Sequence, residues 1–223
     1  MIKQIRSLNR EQMAALIEEL GEKSFRAGQL FEWVHAKRVS SFEEMSNLPK
    51  GLRERLDRDW IVDPLMPIKK QQSNDGNTAK YLFELPDDQT IESVWMHYRH
   101  GDSICVSSQV GCRMGCAFCA STINGCVRNL TPAEMLSQIY DIETDIYSCE
   151  PVSVMEDAGE TAARARHYQA ISSIIVMGMG EPFDNYDNLL AFIRLLTDEK
   201  GRNLSARSVT VSTCGLPEST YFV

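Results

Sequence analysis

The sequence predicts an α/β fold: a partial parallel (β/α) barrel preceded by a small helical domain and a short antiparallel sheet. Residues 1–60 carry apolar positions at helical spacing, whereas residues 61–103 contain strand-like runs separated by turn clusters. Residues 104–223 alternate strand, helix, strand, helix and strand, which is typical of parallel βα units with right-handed crossovers. We therefore expect three regions with these boundaries.

The helical domain, residues 1–60, is expected to contain four short helices. Apolar side chains recur at helical spacing over 9–20, which predicts the first. The second is expected after Ser24, the third from about Ser41, and the fourth over Lys50–Asp59. This domain has a net charge of +1, whereas the rest of the chain has −9. Because Lys and Arg bind phosphates, the domain is the better candidate for contacting nucleic acid, although a solvated helical face explains each single charge equally well.

Residues 61–103 are expected to bridge the helical domain and the barrel. Strand-like runs cover residues 81–83 and 91–96, and turn clusters cover 73–77 and 86–89. Glu92 lies in the second run, on the face opposite Ile91, where a glutamate usually meets solvent.

The barrel region, residues 104–223, contains helix signals and strand signals in alternation. A capping box with Pro at the first helical position begins a helix at residues 131–134. Residues 148–168 lack a clear apolar face and are interpreted as a surface insertion. The predicted strands are 103–110, 171–179 and 208–213, and a second helix covers Tyr186–Thr197.

The cellular location is constrained by what the sequence lacks. No apolar run approaches the length of a membrane span, and the N-terminus lacks the apolar core of a signal peptide. We therefore expect a cytoplasmic protein that does not associate with membranes and keeps its thiols free.

Residues 105–119 contain four of the seven cysteines, and three of them have the spacing C-x3-C-x2-C: Cys112, Cys116 and Cys119. Iron–sulfur clusters normally take four thiolates, so three leave one iron of a [4Fe–4S] cluster open. An open iron can be chelated by S-adenosylmethionine through its amino and carboxylate groups. Zinc would favour a second C-x2-C pair, and disulfides would need an oxidising compartment.

The loops after the three barrel strands should open on one rim, where barrel enzymes place their chemistry. Gly180 and Glu181 follow the second strand, and Ser212 ends the third. Glycine lets a backbone approach a ligand closely, Glu181 is suited to accept a hydrogen bond from an amino group, and Ser212 is suited to bind a carboxylate or ribose. A simple turn is the alternative explanation for the Gly-Glu-Pro sequence.

Four ordered blocks resemble the bacterial dual-specificity 23S rRNA and tRNA adenine-C2 methyltransferases, which belong to the radical S-adenosylmethionine superfamily. The resemblance covers about residues 10 to 216. A three-cysteine motif alone is a moderately specific signal, whereas four blocks in the same order are a strong signal for this family. The blocks are residues 105–112, 128–131, 177–182 and 211–215.

The resemblance implies roles for particular residues. Cys112, Cys116 and Cys119 would hold one [4Fe–4S] cluster, and Gly180, Glu181 and Ser212 would bind S-adenosyl-L-methionine. Glu92 matches the acid/base carboxylate of the family. Cys105 matches the cysteine that resolves a covalent protein–RNA adduct, which implies a disulfide bond with the methyl-carrying cysteine; a small buried residue is its alternative reading.

The resemblance also implies partners. The substrates would be one adenine of the 23S rRNA peptidyl transferase centre and the adenine 3′ of the anticodon in tRNAs. A one-electron reductant such as flavodoxin would act with a monomeric enzyme. The helical domain would help to hold the RNA, with Arg26, Lys37 and Arg38 as candidate contacts.

The family's methyl-carrying cysteine lies beyond the part of the sequence that matches. About half of a barrel of the radical S-adenosylmethionine type is present, so we expect a truncated or split-gene member with impaired methyl transfer. Three alternatives remain open: a relative that methylates adenine C8, another radical enzyme, and an inactive cluster-binding fragment. Mapping the methylated carbon separates the first, and iron content with cofactor cleavage tests the last.

Overall fold

The computed structural model describes residues 3–148 and 171–216. The expected insertion, residues 148–168, lies almost wholly outside the described residues. Within them, no helix combines the length and the apolar character that crossing a bilayer requires.

The helical domain packs three helices around a common core: α1 (Arg10–Glu19), α2 (Phe25–Phe31) and α3 (Lys50–Asp59). A capping box begins α1, because the Asn9 side chain accepts from the backbone of Gln12 and the Gln12 side chain accepts from the backbone of Asn9, both at 2.9 Å. Strands β1 (Lys3–Gln4) and β2 (Trp60–Ile61) pair in parallel and bring the two ends of the domain together. Buried side chains include Ile5, Met13, Ile17, Leu30, Phe31, Leu52 and Leu56.

The helix predicted from about Ser41 is wrong, because residues 40–48 form turns instead. The carboxylate of Glu44 accepts hydrogen bonds from the backbone and hydroxyl groups of both Ser40 and Ser41. Side chains that satisfy nearby backbone donors in this way stabilise turns in competition with helix. The helix after Ser24 is confirmed, and it continues as a wider π-helical turn over Glu32–Ala36.

The centre of the molecule is a six-stranded mixed sheet with the order β10-β9-β6-β5-β4-β3. Neighbours from β3 to β6 are antiparallel, whereas β6, β9 and β10 are parallel. The predicted parallel βα units are therefore confirmed, and the antiparallel strands belong to the same sheet. The strands are β3 (Met66–Gln72), β4 (Thr78–Glu84), β5 (Thr90–Tyr98), β6 (Gly101–Val106), β9 (Ile171–Val176) and β10 (Val209–Val211).

Among the described residues, helices cover one face of this sheet and leave the other open. Ile104 and Ile174 point to the covered face and are buried, whereas Cys105 and Ile175, one position further, are only partly buried. The covering helices are α4 (Pro132–Ser148) and α5 (Tyr186–Thr197). The α4 capping box and the bounds predicted for α5 are both confirmed.

The predicted strand over 103–110 is divided in the structure. Strand β6 ends at Val106, and the chain then leaves the sheet to form β7 (Gln109–Gly111), which pairs with β8 (Cys126–Asn129). The break occurs where the Ser107 hydroxyl donates to the Glu92 carbonyl at 2.6 Å and accepts from the Met179 N–H at 2.9 Å. These side-chain bonds turn the chain out of the sheet at the edge where the candidate site lies.

Candidate active site at the strand ends

The three motif cysteines lie on one loop, residues 112–125, which we call the cysteine loop. Strands β7 and β8 close it as an antiparallel pair. The Cys112 N–H donates to the Gly125 carbonyl at 3.0 Å, which fixes the first cysteine at the base of the loop. Gly111 has a φ of +74°, and a Cβ there would lie 2.0 Å from the Gly125 oxygen. Only glycine therefore fits at this position.

The donor set suits an iron–sulfur cluster by its chemistry. Cys112 is buried, Cys116 and Cys119 are partly buried, and all three thiols are free of disulfides. As the side chains stand in the described residues, no three His, Cys, Asp or Glu groups are close enough together to hold a metal ion. Free thiols on one loop are nevertheless the ligands that such clusters take, so the residues present fit the group.

The loop after β9 packs directly on the chain between β6 and β7. The Met179 carbonyl accepts from the backbone N–H groups of Ser108 and Gln109, at 2.9 and 3.1 Å. A Cβ on Gly178 would lie 2.7 Å from the Ser107 hydroxyl oxygen, and one on Gly180 would lie 2.6 Å from the Gln109 Cβ. In this structure the two glycines thus allow the loop after β9 to pack closely on the chain between β6 and β7. The sequence predicted instead that these glycines allow a ligand to approach the backbone.

Glu181 is buried, and both of its carboxylate oxygens are engaged by the protein. One oxygen accepts from the Phe183 N–H at 2.9 Å and from the Thr213 hydroxyl at 2.5 Å, and the other accepts from the Cys214 N–H at 2.8 Å. Burial opposes ionisation, but these hydrogen bonds outweigh it and lower the pKa of Glu181. The carboxylate therefore holds the loop after β10 against the loop after β9.

The loop after β10 brings Ser212 to the same rim. Its backbone N–H donates to the Val176 carbonyl at 3.1 Å, and its side chain is exposed. Two residues on, the Glu181 carboxylate raises the pKa of the Cys214 thiol to about 11 by accepting its hydrogen bond, and desolvation adds to this shift. The three loops predicted to share one rim are thus adjacent in the structure.

Glu92 and Cys105 lie on the open face of the sheet. Cys105 pairs with Val94, two residues beyond Glu92, so the two side chains share that face. The Glu92 carboxylate is bonded to Lys80 at 2.8 Å and is 44% exposed. Burial raises the pKa of the Cys105 thiol, and a backbone hydrogen bond from Met177 only partly offsets this.

Comparisons with known proteins agree over nearly the whole chain. Residues 3–62 match the family model of the ribosomal RNA large subunit methyltransferase N-terminal domain. The probable dual-specificity RNA methyltransferase RlmN of Lachnospira eligens is 49% identical over 95% of this chain and 55% of its own length. The probable dual-specificity RNA methyltransferase RlmN of Bacillus thuringiensis is 44% identical, over 97% of this chain and 55% of its own length. A crystal structure of a radical SAM methyltransferase from Sphaerobacter thermophilus aligns with a TM-score of 0.81 at 36% identity, over 96% of this chain and 57% of the other.

The chain is similar to RlmN proteins over nearly its whole length. It spans about half the length of the curated RlmN relatives that it matches. The mixed α/β fold with a partly parallel sheet agrees with that of the radical SAM methyltransferase structure.

Several residues of this candidate site were not predicted from the sequence. Gln109 is fully buried: its Oε1 accepts from the Glu181 N–H at 2.9 Å, and its Nε2 donates to Asn129 at 2.7 Å and to Asp184 at 3.1 Å. Arg113, inside the cysteine loop, donates two hydrogen bonds to the Asp184 carboxylate. Gln109 and Asp184 stand within or beside the resembling blocks, which is the signal that could have found them.

The three basic candidates of the helical domain differ in how accessible they are to solvent. Arg38 is not free to contact RNA here, since its guanidinium is 7% exposed and pairs with Glu143 on α4. Lys37 is exposed, pairs with Glu32 at 3.2 Å and lies over the Trp33 ring. Arg26 donates to the Asn47 carbonyl at 2.8 Å. Lys37 and Arg26 remain the accessible candidates of the three.

Proposed function

We propose that the chain carries the cofactor-binding part of a radical S-adenosylmethionine enzyme that methylates adenine C2 in 23S rRNA and tRNA. The observation that carries this proposal is the meeting of the cysteine loop with the loops after β9 and β10 at one edge of the sheet, in a chain similar to RlmN proteins. Because the chain spans about half of its relatives, their activity is attributed to it here as a proposal.

The placement of the loops supports the cofactor-binding residues that we propose. Cys112, Cys116 and Cys119 would hold a [4Fe–4S] cluster, which when bound supplies one electron to the sulfonium of S-adenosylmethionine. The Gly180 backbone and the exposed Ser212 hydroxyl would bind that cofactor. The Glu181 carboxylate would accept a hydrogen bond from the amino group of that cofactor, in addition to or in place of its bonds to Thr213 and Cys214.

The two residues that we propose to act on the substrate lie on the open face of the sheet. Cys105 would resolve the covalent adduct between protein and RNA, ending in a disulfide with the methyl-carrying cysteine. Its raised pKa keeps the thiol protonated near neutral pH, so a base must remove the proton as it reacts. Glu92, on the same face, is our candidate for acid/base chemistry.

The partners proposed are RNA and an electron donor. The adenine must leave its stack to reach the strand ends, and the helical domain would hold the surrounding RNA. A one-electron reductant such as flavodoxin would serve the cluster, and the enzyme would act as a monomer in the cytoplasm, where thiols stay reduced.

The proposal is tested with protein purified without oxygen and reconstituted with iron and sulfide. We expect about four irons per chain, a brown colour and reductive cleavage of S-adenosylmethionine. Changing Cys112, Cys116 or Cys119 to Ala should each abolish iron binding.

Cys126→Ala is the matched control, because Cys126 directly follows the cysteine loop as the first residue of β8 and lies outside the motif. This variant should keep the iron. Uptake of zinc in place of iron, or no cleavage of S-adenosylmethionine by iron-loaded protein, would overturn the proposal. A methyl group at C8 would favour the relative that uses the same chemistry at the other carbon.

A further inference from the structure

The cysteine loop is tied to the loop after β9 by one charged pair. Arg113 follows the first motif cysteine, and its Nε and Nη2 donate to the two oxygens of Asp184 at 2.7 and 2.5 Å. A forked contact of a guanidinium with a carboxylate fixes orientation as well as distance. The Arg113 side chain is 61% exposed, so it contributes little to the core.

Asp184 is itself held on a rigid support. Its Oδ2 also accepts from the buried Gln109 side chain at 3.1 Å, and its backbone N–H donates to the Glu181 carbonyl at 3.1 Å. The hydrogen bonds from Arg113, helped by Gln109, hold the pKa of Asp184 below its usual range, so the carboxylate is ionised at neutral pH. Arg113 therefore binds a fixed charge.

The remainder of the cysteine loop has a different kind of support. Near its base, the Cys112 N–H is bound to the Gly125 carbonyl. Further along, the Cys119 N–H donates to the Cys116 carbonyl at 3.0 Å, a bond that stays within the loop. The pair of Arg113 with Asp184 thus sets where the first-cysteine end of the loop lies relative to Gly180 and Glu181.

We infer that Arg113 and Asp184 form a clamp that positions the cysteine loop against the loop carrying Gly180 and Glu181. Both are positioning residues, since neither supplies a ligand. The inference rests on the proposed function for the identity of the cofactors, but the clamp itself is a property of the chain without them. It organises the loop before any cluster is assembled.

Amide hydrogen exchange of the cluster-free protein tests the clamp. In Asp184→Asn and in Arg113→Gln, we expect the peptide containing residues 112–119 to exchange about two- to fivefold faster than in the wild type. The double variant should exchange no faster than either single one, because each change alone breaks the same contact. Arg113→Lys, which keeps the charge but not the fork, should lie between.

The matched control is Asp87→Asn, which removes a second forked Arg–Asp contact, with Arg128, at 2.7 and 3.0 Å outside the cysteine loop. Its exchange over residues 112–119 should equal that of the wild type. Unchanged exchange in Asp184→Asn, or additive effects in the double variant, would overturn the clamp.

A second measurement separates this inference from the proposed function. After reconstitution, the clamp variants should lose iron to a chelator about two- to fivefold faster than the wild type and the Asp87→Asn control. If no variant and no wild type takes up iron, the proposed function fails, while the exchange rates still decide whether the clamp exists. If iron is bound but its release is the same in all proteins, the clamp does not position the ligands.

Discussion

Gly111 and Gly115 flank the first motif cysteine and both have positive φ, +74° and +70°, but for different reasons. Gly111 lies where strand β7 meets the base of β8, and a Cβ there would collide with the Gly125 carbonyl. Gly115 has open space around it, with no atom within 4 Å of a built Cβ. The first needs glycine for contact and conformation, and the second for conformation alone.

Gly111→Ala should therefore be much more damaging than Gly115→Ala. The left-handed conformation alone costs an alanine about 1–2 kcal/mol, which is the loss expected for Gly115→Ala. For Gly111→Ala, displacement of the Gly125 backbone should raise the loss to about 3–4 kcal/mol. Urea unfolding of the cluster-free variants measures both. Equal losses of unfolding free energy in the two variants would mean that the Gly125 backbone moves aside without an energetic cost.

Glu181 illustrates what a residue-level motif leaves undetermined. The sequence predicts a ligand-binding carboxylate, and that role is a proposal still to be tested. The structure places donors from Thr213 and Cys214 on its two oxygens. Those residues stand more than thirty positions along the chain, so no local pattern could have indicated the contact.

At the scale of elements, the predictions succeeded where the signal was local. The capping box at Thr131 and the helix predicted over Tyr186–Thr197 gave the correct type and start of both helices. They failed where distant side chains decide the backbone: Ser107 ends β6 through bonds to Glu92 and Met179, and the short pair β7–β8 was missed entirely.

Helix α4 is joined to the end of β6 by a single buried amide, that of Gln138. Its Oε1 accepts from the Ser107 N–H and the Ser93 hydroxyl, both at 2.7 Å, and its Nε2 donates to the Ser107 carbonyl at 3.1 Å. Since Ser107 is fully buried, the loss of this amide leaves backbone groups without partners.

Gln138→Leu should thus lower the free energy of unfolding by about 2–4 kcal/mol, although it adds an apolar side chain to the core. Chemical denaturation measures the change. Gln71→Leu, at an exposed position on β3, is the control and should alter stability by no more than about 0.5 kcal/mol. A neutral Gln138→Leu would show that Ser107 finds other partners.

At the scale of the molecule, the helical domain and the sheet are joined by buried charges. Arg6 is 1% exposed, donates to Ser137 on α4 at 2.5 Å and pairs with Asp63 at 3.0 Å. Glu143 on the same helix is fully buried between Arg38 and Arg202. Buried ion pairs add little net stability, but removing one partner is costly, so they favour one docking of the domain.

His35 is enclosed in this same region, with its ring 4.5 Å from that of Phe31. Burial, and next the positive charge of Arg6, lower its pKa to about 3, from 6.5 in an unfolded chain. Between these two values the unfolded chain binds a proton that the folded chain does not, so stability falls as the pH falls from 6.5 towards 3. Asp141 acts in the opposite sense, because burial and the nearby Asp63 raise its pKa.

His35→Phe isolates the contribution of the histidine while keeping an aromatic ring against Phe31. The wild type should lose up to about 1.4 kcal/mol more per pH unit than this variant below pH 6.5, and nothing more above it. Urea unfolding of the cluster-free proteins at pH 7.5, 6.0 and 5.0 measures the difference. His100→Phe, at an exposed position, should follow the wild type at every pH. If the free energy of unfolding changed with pH in the same way for the wild type and His35→Phe, His35 would be protonated in the folded protein. The buried domain interface would then hold a charged imidazolium, contrary to the lowered pKa.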